Sequence, residues 1–238
     1  AFLTKATVYI LAIVATVTAV QRVQKREVRL SYLWQLFAPA LFMGTAWWLR
    51  NILVYGWPDF LGLINHSEVV VGQPRTLDWL DKFGELDFSR RFIQTTFNSF
   101  WGQFGWMAVP MKLVVFRFLT ILSLMIAIGN YLLLRLKFLK LNFEKINLLV
   151  VVFTLATVVL QYIWYNVEYV QHQGRYLFPA LLPLALFYVL GICGWARCFE
   201  NYWPKHKDIW YWLPVVLIPI MVILSVHALY YTIIPAFA

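Results

Sequence analysis

Residues 172–183 read HQGRYLFPALLP, and they join a polar, cationic loop to a long apolar segment. The apolar character continues to about residue 196, so the run is close to the roughly 20 residues that a helix needs to cross a bilayer. Arg175 stands at the mouth of this run, where a cation requires an anionic partner. The stretch therefore predicts a membrane helix with an arginine at its entrance.

Composition extends this prediction to the whole chain of 238 residues. Hydrophobic residues make up 62% and charged residues 13%, whereas about 25% of a soluble domain is charged. We therefore expect an all-α, polytopic transmembrane helical bundle that forms a single transmembrane domain over residues 1–238. Six spans are predicted, at residues 2–20, 32–55, 112–134, 146–165, 176–196 and 209–234.

The basic residues predict how these spans are oriented. More than half of the 20 Lys and Arg fall in three short connections on one side. They are Arg22, Lys25, Arg26 and Arg29, then Arg135, Lys137, Lys140 and Lys145, then Arg197, Lys205 and Lys207. The positive-inside rule makes that side cytoplasmic, with both termini outside. This placement accounts for most of the net charge of +9, so no nucleic-acid partner is expected.

Residues 56–110 form a long connection on the opposite, outer side. A helix is predicted from Thr76, whose hydroxyl suits a helix start, and a second amphipathic helix over residues 86–100. We expect these helices to lie flat at the interface, with Trp101 and Trp106 as headgroup anchors. The alternative is a surface loop that carries aromatic anchors only.

Three cations lie at the outer ends of different spans, where the positive-inside rule disfavours them: Lys5, Arg50 and Arg175. Each could simply extend its head to the headgroup layer from a buried stem. Taken together, with few acids nearby, they suit a phosphate or pyrophosphate, which Arg can bind through two parallel hydrogen bonds. The residues thus predict a site for a phospholipid or an isoprenoid phosphate.

Polar and aromatic residues accompany these cations. They are Asn51, Tyr55, Trp101, Gln103, Gln171, His172, Gln173 and Tyr176. Aromatic faces beside amides and hydroxyls could line a sugar-binding surface. An ordinary interfacial belt has the same composition, so both interpretations stay open.

Other catalytic chemistry has little support in the sequence. No nucleophile elbow, phosphate-binding loop or metal-binding motif is present, and we expect neither a metal nor a cofactor. Cys193 and Cys198 are interpreted as packing residues. An Asp or Glu is the expected general base, and the outer candidates are Asp59 and Glu168, in ordinary contexts.

Three stretches resemble the C-terminal half of bacterial GT-C-type glycosyltransferases. FLTKA (2–6), WWLRNILVYG (47–56) and QGRYLFPALLP (173–183) are similar to the family's "LLTK", "RNxxLYG" and "GRYLxPxxP" motifs. SFWGQFGWM (99–107) resembles an uncharacterised bacterial membrane family allied to protein O-mannosyltransferases and aminoarabinose transferases. Each motif is short. The resemblance depends on their occurring in the same order and with similar spacing over most of residues 2–190.

The resemblance implies a protein of the bacterial inner membrane that uses a polyprenyl-phosphate-linked sugar, with Lys5, Arg50 and Arg175 around the lipid phosphate. It also implies a catalytic acid in a first outer loop, upstream of this sequence. We therefore expect the chain to be part of a longer protein, and the catalytic residue is unknown. The alternative is a non-catalytic subunit of a larger membrane complex. A lipid flippase is a third interpretation, but no inverted repeat supports it.

Overall fold

The computed structural model describes residues 9–69, 72–136, 145–206 and 212–237, and most of them are helical. The chain divides into two compact units. The first comprises Ala1–Gly84 and Leu149–Gln171, and the second comprises Glu85–Leu148 and His172–Ala238. Both units are therefore assembled from segments that are far apart in the sequence.

The first unit contains three helices in chain order and most of a fourth that returns from later in the sequence. They are α1 (Ile10–Gln24), α2 (Ser31–Tyr55), α3 (Leu63–Val69) and α6 (Lys145–Glu168). Thr76 ties the two parts together, because its hydroxyl donates to the Asn166 carbonyl oxygen at 2.8 Å. Beside it, an ion pair joins Arg75 Nη1 to Glu168 Oε1 at 2.6 Å. These contacts fasten the chain after α3 to the end of α6.

Helix α4 (Thr76–Gly102) is interrupted at Gly84, which has φ 81° and ψ 166°. Such a φ lies in a region that favours glycine, so the helix stops there and restarts. The two helices predicted within residues 56–110 are therefore present. Their position at an outer membrane interface stays a prediction.

The second unit contains the remaining elements. They are the latter part of α4, the strands β1 (Gln103–Phe104) and β2 (Val109–Pro110), α5 (Leu113–Arg135), a 3₁₀ segment (Gly174–Ala180), α7 (Leu181–Tyr202), a 3₁₀ turn (Pro204–His206), α8 (Leu213–Ala228), a π-helical turn (Leu229–Ile233) and α9 (Ile234–Phe237). The two strands pair in antiparallel register, Gln103 opposite Pro110 and Phe104 opposite Val109.

Helices α5 and α7 pack backbone against backbone in the second unit. A Cβ on Gly194 would collide with the Gly129 carbonyl, and a Cβ on Gly191 would collide with the Ile126 carbonyl. Small residues allow this close approach, which is a common way for membrane helices to associate. Trp195 adds a hydrogen bond from its indole nitrogen to the Met125 carbonyl oxygen at 2.7 Å.

A small core lies where α5, α8 and the hairpin meet. Its buried members are Met111, Phe116, Leu119 and Ala228. Phe97, Trp101 and Phe104 pack against it. This core supports the β1–β2 hairpin, whose turn carries Trp106.

Among the described residues, four helices are long and apolar enough to cross a membrane. They cover Leu113–Arg135, Leu148–Glu168, Gly174–Tyr202 and Pro214–Phe237, and match the last four predicted spans. The predicted count of six is not confirmed among the described residues. Helix α1 has 15 residues in its described part, and the 25-residue α2 is less apolar because Trp, Tyr, Gln and Arg interrupt it. The chain is thus an all-α protein whose four apolar helices indicate a membrane protein.

Candidate functional site

The stretch that introduced Arg175 folds as a short loop followed by a 3₁₀ segment. Gly174–Ala180 forms the 3₁₀ segment, and α7 continues from Leu181. Pro179 has no backbone N–H, so it donates no helical hydrogen bond at that point. Arg175 is the second residue of the 3₁₀ segment, and its side chain is exposed.

Helix α4 holds this loop from the side. Gly174 donates its backbone N–H to Ser99 Oγ at 2.7 Å, and Ser99 Oγ donates to the Thr95 carbonyl oxygen at 2.6 Å. A Cβ on Gly174 would collide with the Thr96 carbonyl and lie 2.5 Å from the Phe100 backbone nitrogen. Only glycine fits here, so the loop approaches α4 as closely as a backbone can.

His172 anchors the loop to an earlier part of α4, at Phe88 and Phe92. Its ring is 4% exposed and lies edge-on to Phe88 and Phe92, with ring centroids 4.9 Å and 5.3 Å away. Burial lowers the pKa of His172 from 6.5 to about 4, and the charge of Arg91 acts in the same direction. Nε2 is buried and has no hydrogen-bond partner among the described residues. His172 is thus a neutral apolar anchor at pH 7, although its side chain was predicted to line a substrate surface.

The Arg175 guanidinium rests on aromatic rings. It lies 4.9 Å from the centroid of Trp106 and 5.8 Å from that of Tyr176. Within the part of the chain that the structure describes, Arg175 has no carboxylate partner at salt-bridge distance. A cation held over rings keeps its N–H donors available, because the rings attract it through their faces. This arrangement can accept an anion.

The other predicted residues of the second unit lie on the loop that carries Arg175 and on the hairpin that carries Trp106. Gln173 is buried at the start of the 3₁₀ segment, and Tyr176 is half-buried beside Arg175. Gln103 donates from Nε2 to the Met107 carbonyl oxygen at 2.8 Å. Gln103 therefore holds the hairpin turn through its Nε2, and its Oε1 is buried.

Arg50 forms a similar cluster in the first unit. Its Nη1 donates to Asn51 Oδ1 at 3.2 Å and to Tyr55 Oη at 3.1 Å. The guanidinium lies over the rings of Trp47 and Tyr55, with centroids 5.3 Å and 5.4 Å away. Among the described residues it has no carboxylate partner at salt-bridge distance. Arg50, Asn51 and Tyr55 thus form one hydrogen-bonded cluster, and their roles as phosphate and substrate ligands stay predictions.

Asn51 and Asp59 organise the turn that follows α2. Asn51 is 2% exposed, and its Nδ2 donates to the Phe60 carbonyl oxygen at 3.0 Å. Ile64 and Asn65 donate their backbone N–H groups to the Asp59 carboxylate at 3.1 Å and 2.8 Å. Burial alone would raise the pKa of Asp59. The backbone N–H groups of Gly62, Leu63, Ile64 and Asn65 outweigh this effect and hold the pKa below its usual value.

Both acids proposed as bases are thus engaged in the fold. Asp59 accepts backbone N–H groups at the start of α3, and Glu168 pairs with Arg75. The lowered pKa of Asp59 makes its carboxylate a poorer proton acceptor, and the Glu168 carboxylate is taken up by the Arg75 guanidinium. Neither acid is poised for general-base chemistry in this structure.

The three predicted phosphate ligands stand as follows. Lys5 lies outside the described residues, Arg50 belongs to the first unit and Arg175 to the second. Their convergence on one ligand stays a prediction. Sequence reasoning gave Trp106 only the role of a headgroup anchor and assigned no role to Ser99, because a lone serine in a helix carries no pattern.

No protein-family model, curated protein or solved structure matches this chain. The site must therefore be interpreted from its own chemistry.

Proposed function

We propose that this protein is an integral membrane protein that binds the phosphate of a polyprenyl-phosphate-linked sugar, with Arg175 as the principal phosphate ligand. The observation that carries the proposal is the Arg175 guanidinium, exposed and held over Trp106 at the start of an apolar helix. Arg is suited to phosphate because its planar fork makes two parallel hydrogen bonds. A lipid phosphate lies at the depth where such a helix begins.

Arg50 supports the proposal as a second cation of the same kind. It too lies near the end of a long helix, is held over aromatic rings, and has no acidic partner among the described residues. Nη2 and Nε remain to bind an anion, because its hydrogen bonds to Asn51 and Tyr55 use Nη1. Lys5 is proposed as the third ligand from its sequence position alone.

The membrane setting completes the proposal. The basic connections would face the cytoplasm of a bacterial cell, and residues 56–110 would lie on the outer face. The resemblance to GT-C enzymes suggests that the bound lipid donates its sugar to a cell-surface glycan there. We propose that the protein crosses the membrane six times, through the four apolar helices and the two predicted spans that precede them.

A non-catalytic membrane subunit is the second candidate. One observation favours it: the two outer acids that could act as a base, Asp59 and Glu168, are both occupied by structural contacts. Such a subunit would bind the same lipid phosphate, and would present its apolar helices to other subunits of a complex.

The test compares Arg175→Ala with Arg175→Lys in the full protein, reconstituted in lipid nanodiscs. Binding of a fluorescent polyprenyl phosphate should weaken about 10- to 100-fold in Arg175→Ala, since a hydrogen-bonded charge contributes roughly 1.5–3 kcal/mol. Arg175→Lys should recover only part of the affinity, because Lys keeps the charge and lacks the planar fork.

Arg90→Ala is the matched control, because Arg90 is an exposed arginine on α4 outside the site. It should bind as the wild type does. Unchanged binding in Arg175→Ala would refute the phosphate role. Release of polyprenyl phosphate from a sugar-linked lipid, measured on the same sample, separates the enzyme from the non-catalytic subunit.

A further inference from the structure

The turn between β1 and β2 contains three successive residues with left-handed backbone. Gly105 has φ 54°, Trp106 has φ 54° and Met107 has φ 72°. Side-chain-bearing residues rarely adopt this region, and they keep it only where the surroundings impose it. Strained positions of this kind concentrate at ligand sites, so the turn calls for a functional explanation.

Several contacts impose this conformation. Gln103 Nε2 donates to the Met107 carbonyl oxygen at 2.8 Å, and the Ala108 N–H donates to the Gly105 carbonyl oxygen at 3.1 Å. Phe237 packs on the turn, since a Cβ on Gly105 would lie 2.8 Å from its ring. The turn is thus held from its hairpin and from the last described helix.

What the turn displays is the Trp106 indole. It is 84% exposed, and the Arg175 guanidinium is 4.9 Å from its centroid. An exposed tryptophan needs no strained backbone: Trp34 is 71% exposed and lies on helix α2. Trp106 therefore differs from Trp34 in two ways: its backbone is left-handed, and an arginine lies over its ring.

We propose that Trp106 packs against the sugar ring of the lipid-linked donor while Arg175 binds the adjacent phosphate. This inference rests on the proposed function and assigns the sugar-contacting residue of the same site. In a polyprenyl-phosphate sugar the phosphate is bonded directly to the sugar ring, so the two groups need neighbouring contacts. A broad apolar indole suits the C–H face of a pyranose, and the guanidinium suits the phosphate.

The experiment uses the full protein in nanodiscs and short-chain probes: citronellyl phosphate, and its glucose, mannose and galactose phosphodiesters. The wild type should bind at least one sugar-bearing probe more tightly than citronellyl phosphate, by about three- to tenfold for an aromatic contact. Trp106→Ala should weaken the preferred sugar-bearing probe more than citronellyl phosphate and so remove that preference. Trp106→Phe should retain part of the preference.

The other outcomes separate the two proposals. Trp34→Ala is the matched control and should behave as the wild type. A wild type without preference for any sugar, or a Trp106→Ala variant that keeps the preference, overturns the inference and leaves the phosphate site standing. Equal weakening of all four probes in Trp106→Ala also overturns it, since the indole would then only support Arg175. Failure of the wild type to bind any probe refutes the proposed function itself.

Discussion

His172 provides the sharpest test of how the loop before Arg175 is held. Acidification should favour opening of this loop. The His172 ring resists protonation while it is buried between two phenylalanines, whereas it takes up a proton readily when the loop opens. Its pKa is about 4 in the folded protein and about 6.5 in an open loop. The folded form therefore binds fewer protons between these two values. Stability is fully present above about pH 6.5 and is lost as the pH falls towards 4.

The magnitude follows from the two pKa values. Between about pH 7.5 and pH 5 the free energy of loop opening should fall by about 2 kcal/mol, which is about 30-fold in the opening equilibrium. The assay is hydrogen–deuterium exchange at the Gly174 amide, whose N–H donates to Ser99 Oγ. Rates are corrected for the intrinsic pH dependence of exchange, so that the remaining change reports opening.

His172→Leu isolates this effect, because leucine fills the site and cannot titrate. The variant should lose less protection than the wild type as the pH falls, and the difference should approach the full 2 kcal/mol or so. Arg91→Gln should raise the pKa of His172, since it removes the neighbouring positive charge. Parallel loss of protection in the wild type and His172→Leu would refute the reasoning.

Three further predictions concern the fold around the site. Gly194→Ala should destabilise the second unit by about 1–3 kcal/mol, because its methyl group would collide with the Gly129 carbonyl, and thermal unfolding in detergent should show it. Asp59→Asn should weaken protection of the first amides of α3 near pH 7, and the difference from the wild type should shrink as acid protonates Asp59 below its ordinary pKa. Ser99→Ala should leave the Gly174 N–H without its acceptor and open the loop by about 1–3 kcal/mol, seen as faster exchange of that amide. Normal protection at Gly174 in the Ser99 variant would contradict that role.

Much of the fold is predictable from local pattern. The last four spans are unbroken apolar runs, and a chain that cannot hydrogen-bond to lipid must satisfy its backbone as helix. The break at Gly84 also has a local cause, since glycine tolerates a φ of 81°. Helix α2 shows the limit of composition. It is a 25-residue helix, yet its Trp, Tyr, Gln and Arg residues make it less apolar than the four helices long and apolar enough to cross a membrane.

The candidate site is only partly predictable. Arg175 stands out in sequence as a cation at the mouth of an apolar run, and Arg50 as another. Nothing local shows that Ser99 accepts the Gly174 N–H, because the two residues are 75 positions apart. The sequence also does not show whether His172 lines a substrate surface or is buried. Its burial depends on contact with the rings of Phe88 and Phe92 on α4.

The sequence alone determined that this is an all-α protein with long apolar helices and arginines at their ends, because hydropathy and charge act over neighbouring residues. Tertiary structure alone decided which polar groups are available. It buried Asn51 and His172, engaged Asp59 with backbone N–H groups, and left Arg175 exposed over the Trp106 ring. The reason is physical: a side chain's freedom to bind a ligand depends on contacts between distant segments, and those contacts form only when the chain folds.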